Sequence, residues 1–244
     1  MTDVLVVIPT YNERANIADV VSRVRAAVPD AHVLVVDDAS PDGTGALADE
    51  LAASDSRISV LHRPGKQGLG AAYSHAFAWG LERGFARLVE MDADGSHVPE
   101  QLADLLAAAD AGADLVLGSR WVTGGGIENW PWQRRMLSRG GSAYARWVLG
   151  MPYRDVTGGY RVFSSDALRR ISRGDVHSQG YGFQVDMLWH AHRAGLRIVE
   201  VPITFVERTK GRSKMSGGIV FEAMWRVTLW GIAALPQRFR ATRQ

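Results

Sequence analysis

Short, mostly apolar runs alternate with amphipathic segments in the N-terminal half of the chain, and this alternation constrains the fold most. Val4–Ile8 and His32–Asp37 are two such runs. Continuous apolar runs of this length are typical of parallel strands that are buried on both faces. From about Glu13 to Val28, apolar residues recur at spacings of three and four, which predicts a helix. A strand, a helix and a second strand in this order predict a right-handed βαβ unit.

The same alternation continues to Ser119 and then becomes less regular. Further strands are predicted at Ile58–His62, Arg87–Met91 and Asp114–Gly118, with helices at Gly70–Arg83 and Pro99–Ala111. Later predicted elements are helices at Arg134–Leu149, Tyr181–Ala194 and Gly218–Leu235, and strands at Thr157–Phe163 and Arg197–Val201. We therefore expect an α/β fold with an open, mostly parallel sheet that is flanked by helices.

Composition and charge limit the possible functions. The 244 residues include no cysteine, which excludes disulfides and thiolate metal sites. No apolar stretch reaches the roughly 20 residues that span a bilayer, and we expect the first apolar run to be a strand rather than a signal peptide. The net charge is only +2, but basic residues cluster at Arg208–Lys214 and Arg238–Arg243. Such clusters bind nucleic acid, bind anionic lipid or phosphate, or form a solvated surface.

Polar residues follow three of the predicted strands. They are Pro9 to Glu13, then Asp37 and Asp38, and then Asp92, Ala93 and Asp94. Ligands of open α/β sheets bind at the carboxyl ends of the strands, so these clusters predict a ligand site. A single carboxylate at a strand end is often only a helix cap, but three acidic clusters are less easily explained in this way.

Asp92 and Asp94 are the candidate metal ligands. On an extended backbone, residues two apart point the same way, and a hard cation such as Mg²⁺ or Mn²⁺ relieves the repulsion between their carboxylates. Ser96 and His97 are near enough in sequence to contribute or to hold a water molecule. A turn or a capping pair is the alternative interpretation.

Other phosphate-binding motifs are absent or misplaced. The chain has no G-x-x-x-x-G-K-[ST] sequence, which excludes a P-loop. Gly65, Gly68 and Gly70 follow the third strand, whereas a dinucleotide fingerprint follows the first. A loop that opens a helix is the better interpretation of these glycines.

The order of the motifs resembles glycosyltransferase family 2. The motifs are I-P-T-Y-N-E, D-D-x-S-P-D-G-T, G-L-G-A-A-Y and M-D-A-D-x-S-H. Downstream, G-S-R-W, D-x-T-G-G-Y-R-V-F, G-Y-x-F-Q and R-x-x-G-x-S-K-M resemble its polyprenol (dolichol) phosphate mannosyltransferase branch. Together the matches run from Val4 to Met215.

This resemblance implies a GT-A-type nucleotide-diphospho-sugar transferase fold and transfer of mannose from GDP-mannose to polyprenyl phosphate. Transfer of glucose or N-acetylglucosamine from a UDP-sugar is the alternative. The implied nucleotide-sugar ligands are Pro9, Tyr11, Glu13, Val36, Asp38, Asp92, Ala93, Asp94, Arg120, Arg208 and Lys214. Asp92, Asp94 and Arg120 are implied to be catalytic, Asp94 and Ser96 to bind the metal, and Arg134 and Ser138 to bind the acceptor phosphate. Ser96 stands where many relatives have glutamine, and Trp121 with Gly124–Gly126 is implied to form a mobile lid.

A phosphate acceptor changes what catalysis requires. A phosphate monoester is already ionised near neutral pH, because its second pKa is about 6. No general base is then needed, and the Q-x-x-R-W motif of relatives that attack sugar hydroxyls is absent. We interpret Asp186 as structural or as a ligand of a sugar hydroxyl. The expected reaction is one in-line displacement that inverts the anomeric carbon and gives a β-linked product.

The C-terminal region indicates contact with a membrane. Val227–Pro236 carries no charge and is too short to span a bilayer. The two tryptophans of the predicted helix Gly218–Leu235 and the arginines that follow it are typical of an interfacial helix, and a helix packed on the protein body is the alternative. We expect a catalytic domain at residues 1–217, divided into a nucleotide-sugar half (1–119) and an acceptor half (120–217), followed by an interfacial helix and basic tail at 218–244. Peripheral attachment at the cytoplasmic membrane face, a separate membrane-anchoring or downstream acyl- or glycosyltransferase partner, and no nucleic-acid partner are expected.

Overall fold

The computed structural model describes residues 3–171, 182–208 and 224–232. Its strands are β1 (Val4–Thr10), β2 (His32–Asp37), β3 (Ile58–His62), β4 (Arg87–Glu90), β5 (Leu115–Ser119), β6 (Gly126–Glu128), β7 (Arg161–Ser164), β8 (Ile198–Pro202) and β9 (Thr204–Val206). Its helices are α1 (Ile17–Ala27), α2 (Thr44–Ser54), α3 (Leu69–Glu82), α4 (Leu102–Asp110), α5 (Trp132–Leu149), α6 (Ser165–Ile171) and α7 (Gly182–Arg193). Residues 224–232 are also helical.

Seven strands form one sheet in the order β3-β2-β1-β4-β7-β5-β8. Every pair is parallel except those of β7, which runs antiparallel between β4 and β5. A hydrophobic core lies on each face of the sheet, so the central strands are buried on both faces. The predicted open, mostly parallel α/β sheet is therefore confirmed. Strands β6 and β9 form a separate two-stranded sheet.

Several elements differ from the sequence prediction. The helix α2 is absent from the prediction because its buried residues, Thr44, Gly45 and Ala48, form no apolar stripe. The predicted strand at Thr157–Phe163 begins only at Arg161, and the predicted helix at Pro99 begins with a 3-10 turn. Local periodicity also does not indicate the helix α6 or the pairing of β6 with β9. The ends of the predicted C-terminal helix lie outside the described residues.

The helix α3 packs very closely on the sheet at Gly80. A Cβ atom at this position would lie 2.6 Å from Leu5 Cδ2 and 2.8 Å from Leu88 Cδ2. Both distances are shorter than a carbon–carbon contact allows, so glycine permits the helix to approach β1 and β4.

We predict that Gly80→Ala lowers the free energy of unfolding by about 1–2 kcal/mol, since overpacking outweighs the gain in helix propensity. Urea denaturation measures the change. Gly65→Ala is the matched control, because no atom lies within 4 Å of the added methyl group. Equal stability of the two variants would contradict the close packing.

Candidate functional site

The carboxyl ends of β2, β1 and β4 lie side by side, which brings the three polar clusters to one edge of the sheet. The Thr10 hydroxyl donates to Asp37 Oδ1 at 2.8 Å, which ties the first cluster to the second. Pro9, Tyr11 and Glu13 are partly exposed at this edge. This edge is the position that the sequence predicts for the nucleoside.

Val36 and Ala93 are also predicted nucleotide ligands, and both have buried side chains. Val36 belongs to the core on one face of the sheet and Ala93 to the core on the other. Their side chains therefore pack in the interior, and only backbone groups of these two residues are left for a ligand.

Asp38 is held by Arg63, a residue that no sequence motif singles out. Arg63 Nη1 lies 2.5 Å from Asp38 Oδ1, and both side chains are almost fully buried. Arg63 also donates to His75 Nδ1 at 3.2 Å and to Gln67 Oε1 at 3.0 Å. Burial raises the pKa of Asp38, and the Arg63 charge opposes that rise. The guanidinium fixes the orientation of the carboxylate at the nucleoside edge.

The two carboxylates of the D-A-D motif interact, but not along the extended backbone that the sequence predicts. The strand β4 ends at Glu90, and Asp94 lies in a turn. Burial and the charge of Asp94 raise the pKa of Asp92 well above its usual range. Burial would also raise the pKa of Asp94, but hydrogen bonds from Ser96 and the Arg208 charge lower it below its usual value.

His97 supports Asp92 from the interior. Its Nδ1 accepts the backbone N–H of Asp92 at 3.0 Å, and its Nε2 lies 3.8 Å from Asp92 Oδ2. Burial lowers the pKa of His97 to about 4, so the ring is neutral at physiological pH. The ring also stacks on Tyr160 with 4.9 Å between the centroids.

Asp94 and Ser96 offer oxygen ligands that suit a hard cation. Ser96 donates its backbone N–H to Asp94 Oδ1 at 3.0 Å, and its hydroxyl contacts the same oxygen. Arg208 lies 3.1 Å from Asp94 Oδ2. Carboxylate and hydroxyl oxygens fit Mg²⁺ or Mn²⁺. Within the described residues, no group of three acidic or histidine side chains could hold a metal alone, so substrate oxygens and water would complete the shell.

Arg120 is buried and already paired with an acid. Its Nε and Nη2 each lie 2.7 Å from an oxygen of Asp155, and its backbone N–H donates to the same carboxylate at 3.0 Å. Burial would raise the pKa of Asp155, but the Arg120 charge and hydrogen bonds lower it. Arg120, which the sequence predicts to bind the diphosphate, therefore forms an ion pair with Asp155. The sequence analysis assigns no role to Asp155.

A cavity of about 190 Å³ joins the edge of the sheet to α5. Six residues that the sequence predicts for the site line it: Asp92, Ser96, Arg120, Arg134, Ser138 and Arg208. The cavity therefore brings two of the three predicted catalytic residues, Asp92 and Arg120, together with the predicted acceptor-phosphate residues, whereas Asp94 does not line it. The predicted nucleoside residues do not line it and lie at the neighbouring strand ends.

One face of α5 forms a wall of this cavity. Arg134, Ser138, Gly141 and Ala145 recur at spacings of four, three and four, so they share that face. The first two are polar and the next two are small and apolar. Other apolar lining residues are Leu137, Val185, Phe205, Met224 and Val227. The cavity is thus amphiphilic, because its lining combines charged residues with an apolar wall.

Arg134 is oriented by two contacts. Its Nη1 lies 2.5 Å from Glu207 Oε1, and its guanidinium lies 4.0 Å from the ring centroid of Trp130. Neither contact partner is predicted from the sequence. Both restrict the side chain to the cavity wall, where it is only partly exposed.

The sequence predicts three other features: the role of Asp186, the role of Lys214 and a lid that includes Gly124–Gly126. Asp186 is buried, lies 3.3 Å from His190 Nε2 and does not line the cavity, which agrees with its structural interpretation. Lys214 lies outside the described residues. In the predicted lid, Gly126 begins β6, and a Cβ atom on Gly125 would lie 2.5 Å from the Ser119 carbonyl oxygen, so this glycine is tightly packed.

Arg161 organises the interior below the cavity. It is fully buried and donates to the carbonyl oxygens of Gly158 at 2.8 Å, Gln184 at 2.6 Å and Val156 at 3.0 Å. It also faces Glu90, whose pKa burial raises to about 7 and the Arg161 charge lowers. One side chain therefore connects β4, the loop before β7 and α7.

Solved structures share this architecture. Glucosyl-3-phosphoglycerate synthase from Mycobacterium tuberculosis matches with a TM-score of 0.69 at 20% identity, over 94% of this chain and 80% of that chain. A mannosyltransferase from Pyrobaculum calidifontis, in complex with GDP-Man and Mn²⁺, matches with a TM-score of 0.57 at 20% identity, over 86% of this chain and 58% of that chain. The fold is that of the GT-A nucleotide-diphospho-sugar transferases.

Sequence comparison narrows this class to one family. Residues 5–172 match glycosyl transferase family 2. The chain is 56% identical to the polyprenol monophosphomannose synthase of Mycolicibacterium smegmatis, over 97% of this chain and 89% of the relative. It is 58% identical to the undecaprenyl-phosphate mannosyltransferase of Micrococcus luteus, over 98% of each. The chain belongs to glycosyltransferase family 2.

We predict that Arg161→Met lowers the free energy of unfolding by about 3–5 kcal/mol, because it leaves three carbonyl groups and the Glu90 carboxyl buried without their partner. Thermal and urea denaturation measure the loss. Arg197→Met is the matched control: Arg197 donates to the Ala111 carbonyl oxygen at 2.8 Å but is exposed. Its loss should cost about 1 kcal/mol or less. Similar losses in both variants would disprove the special role of Arg161.

Proposed function

We propose that this glycosyltransferase transfers mannose from GDP-mannose to a polyprenyl phosphate. The observation that carries the proposal is the amphiphilic cavity, which has Asp92 and Arg208 at the sheet edge and Arg134 and Ser138 on α5. The activities for which the two relatives above are named, at 56% and 58% identity, support the same acceptor class and sugar.

The acceptor end suits a phosphate attached to a lipid. Arg134 and Ser138 lie one helical turn apart, and a guanidinium with a hydroxyl can hold phosphate oxygens. The small residues Gly141 and Ala145 continue the same face of α5 with apolar surface. A lipid phosphate can therefore bind with its charged head at Arg134 and Ser138 and its first isoprene units against this wall.

The donor end suits a nucleoside diphosphate. We assign Pro9, Tyr11, Glu13, Val36 and Asp38 to the nucleoside, and Asp92, Ala93 and Asp94 to the ribose and diphosphate. Arg120, Arg208 and Lys214 are assigned to the diphosphate charge. Asp94 and Ser96 would hold Mg²⁺ or Mn²⁺, which supplies charge neutralisation for the leaving diphosphate.

The reaction needs no general base from the protein. Among the described residues that line the cavity, Asp92 is the only carboxylate, and neither Asp155 nor Asp186 belongs to the lining. An ionised acceptor phosphate is itself the nucleophile. Attack at the anomeric carbon opposite the leaving diphosphate inverts the configuration and gives a β-linked mannosyl phosphate.

We also propose that one face of α5 rests on the cytoplasmic surface of the membrane that holds the acceptor. Trp132, Met136 and Trp147 share this face, and 64–81% of each is exposed. In the helical residues 224–232, Val227 is buried whereas Trp225 and Ile232 are exposed. Apolar aromatic faces of this kind favour the bilayer interface. None of the described helices is long and apolar enough to cross a membrane.

The function is tested by transfer of radiolabel to a short-chain polyprenyl phosphate, with GDP-mannose and UDP-glucose offered in parallel. We expect label from GDP-mannose with Mg²⁺ or Mn²⁺ and none with EDTA. Label from UDP-glucose alone would assign the enzyme to the sibling activity. Lack of lipid label from both donors would rule out the proposed acceptor.

The same assay tests the metal-binding carboxylate. Asp94→Ala should lower metal-dependent transfer by about a hundredfold or more, because charge stabilisation of the leaving group is lost. Asp104→Ala, which removes an exposed carboxylate from α4, is the control and should leave transfer unchanged. Full activity of Asp94→Ala would contradict the assignment.

For the membrane surface, we predict that Trp132→Glu with Trp147→Glu weakens binding to anionic lipid vesicles about tenfold or more, because two large apolar side chains are lost. Vesicle sedimentation measures the change. The control, Ala53→Glu with Ser54→Glu, adds the same charge to exposed positions of α2. If both double variants bind equally well, the α5 face is not the membrane surface.

A further inference from the structure

Glu207 places a negative charge next to the arginine that is proposed to hold the acceptor phosphate. Its Oε1 lies 2.5 Å from Arg134 Nη1, and Arg134 lines the cavity whereas Glu207 does not. Among the described residues, the other carboxylate oxygen, Oε2, is buried and has no hydrogen-bond partner. The carboxylate is therefore balanced by Arg134, and in turn it balances the charge that Arg134 can offer to a ligand.

Both partners of this ion pair are held in place by other contacts. The backbone N–H of Glu207 donates to the Glu128 carbonyl oxygen at 3.1 Å, which joins it to β6. The preceding N–H, of Val206, donates to the Ser96 carbonyl oxygen at 3.1 Å. Arg134 itself lies 4.0 Å from the ring centroid of Trp130. The negative charge of Glu207 is thus a fixed part of the acceptor site.

The same charge balance holds for each arginine of the described lining. The pairs are Arg120–Asp155, Arg134–Glu207 and Arg208–Asp94. None of the three acids belongs to the lining, so each arginine contributes N–H groups to the cavity while an acid outside the lining balances its charge. Such a cavity can bind a phosphate through hydrogen bonds, but it gains little from each further negative charge on the ligand.

A lipid with one phosphate and a lipid with two phosphates therefore meet the acceptor site differently. A single phosphate can share the guanidinium with Glu207, because Arg134 has N–H groups besides those of Nη1. A second phosphate would bring further negative charge close to the Glu207 carboxylate. Like charges at such short range repel each other, and this repulsion discriminates between ligands that share the same tail.

We infer that Glu207 makes the acceptor site selective for a lipid monophosphate over the diphosphate of the same lipid. This inference rests on the proposed function and adds the residue that limits the acceptor to one phosphate. Glu207 acts through its charge and through Arg134, without touching the reacting atoms. It is therefore a specificity-determining residue and not a catalytic one.

The test measures the dissociation constants of a short-chain polyprenyl phosphate and of the polyprenyl diphosphate with the same tail. Isothermal titration calorimetry without a donor keeps both lipids unreacted. The wild type should bind the monophosphate about tenfold more tightly or more. Glu207→Gln removes the charge, but its amide oxygen can still accept the hydrogen bond from Arg134, so this preference should fall about tenfold. Glu207→Asp keeps the charge and should retain the preference.

Glu128→Gln is the matched control. It removes the same charge from the neighbouring strand β6, where the side chain is exposed. Solvent and salt screen a charge at such a position, so the preference for the monophosphate should not change. The transfer assay gives a second readout, in which the added diphosphate should inhibit Glu207→Gln at about tenfold lower concentration than the wild type or Glu128→Gln.

Three outcomes would overturn the inference while the function stands. The wild type could bind both lipids equally well, or Glu128→Gln could lose as much preference as Glu207→Gln. The third is an unchanged ratio of the two dissociation constants in Glu207→Gln, and equal weakening of both lipids would mean that Glu207 only positions Arg134. If the wild type transfers label to no polyprenyl phosphate, the proposed function fails first, and this inference fails with it.

Discussion

The buried guanidinium of Arg161 is the contact on which the site depends. Arg161 begins β7, which runs antiparallel between β4 and β5, and its guanidinium bonds carbonyl groups before that strand and in α7. A buried arginine is costly unless its donors are satisfied, so these carbonyl positions are fixed relative to each other. The Gly158–Gly159 segment and the backbone of Gln184 share this fixed geometry, and Gly159 and Val185 line the cavity.

Two further buried ion pairs act in the same way closer to the substrates. Arg63 holds Asp38 at the nucleoside edge, and Arg120, which lines the cavity, is paired with Asp155 behind it. Buried pairs of this kind add little net stability, because desolvation offsets the attraction between the charges. Their value lies in orientation: each carboxylate or guanidinium keeps one position while a charged substrate binds and its product leaves. This preorganisation lowers the cost of stabilising charge in the transition state.

The helix α5 has two functional faces. Its inner face lines the cavity, and its outer face is exposed. The inner face changes from Arg134 and Ser138 to small apolar residues, and the outer face carries Trp132, Met136 and Trp147. The helical residues 224–232 pack against this helix, since Tyr144 and Thr228 share a hydrogen bond of 2.6 Å. A helix that lies at an interface while its inner face holds a phosphate can receive a lipid acceptor without removing its tail from the membrane.

The sequence alone determines the α/β class, the burial of the central strands and the three polar clusters, because local periodicity and short motifs report burial and strand ends directly. It also brings Arg134 and Ser138 onto one helix face through their spacing. The tertiary structure alone decides that β7 runs antiparallel between β4 and β5, that Arg120 is paired with Asp155, and that Arg134 is paired with Glu207. These features join residues far apart in the chain, and their partners depend on sheet order and packing. Local patterns indicate that a residue is buried, but only the folded chain decides what it is buried against.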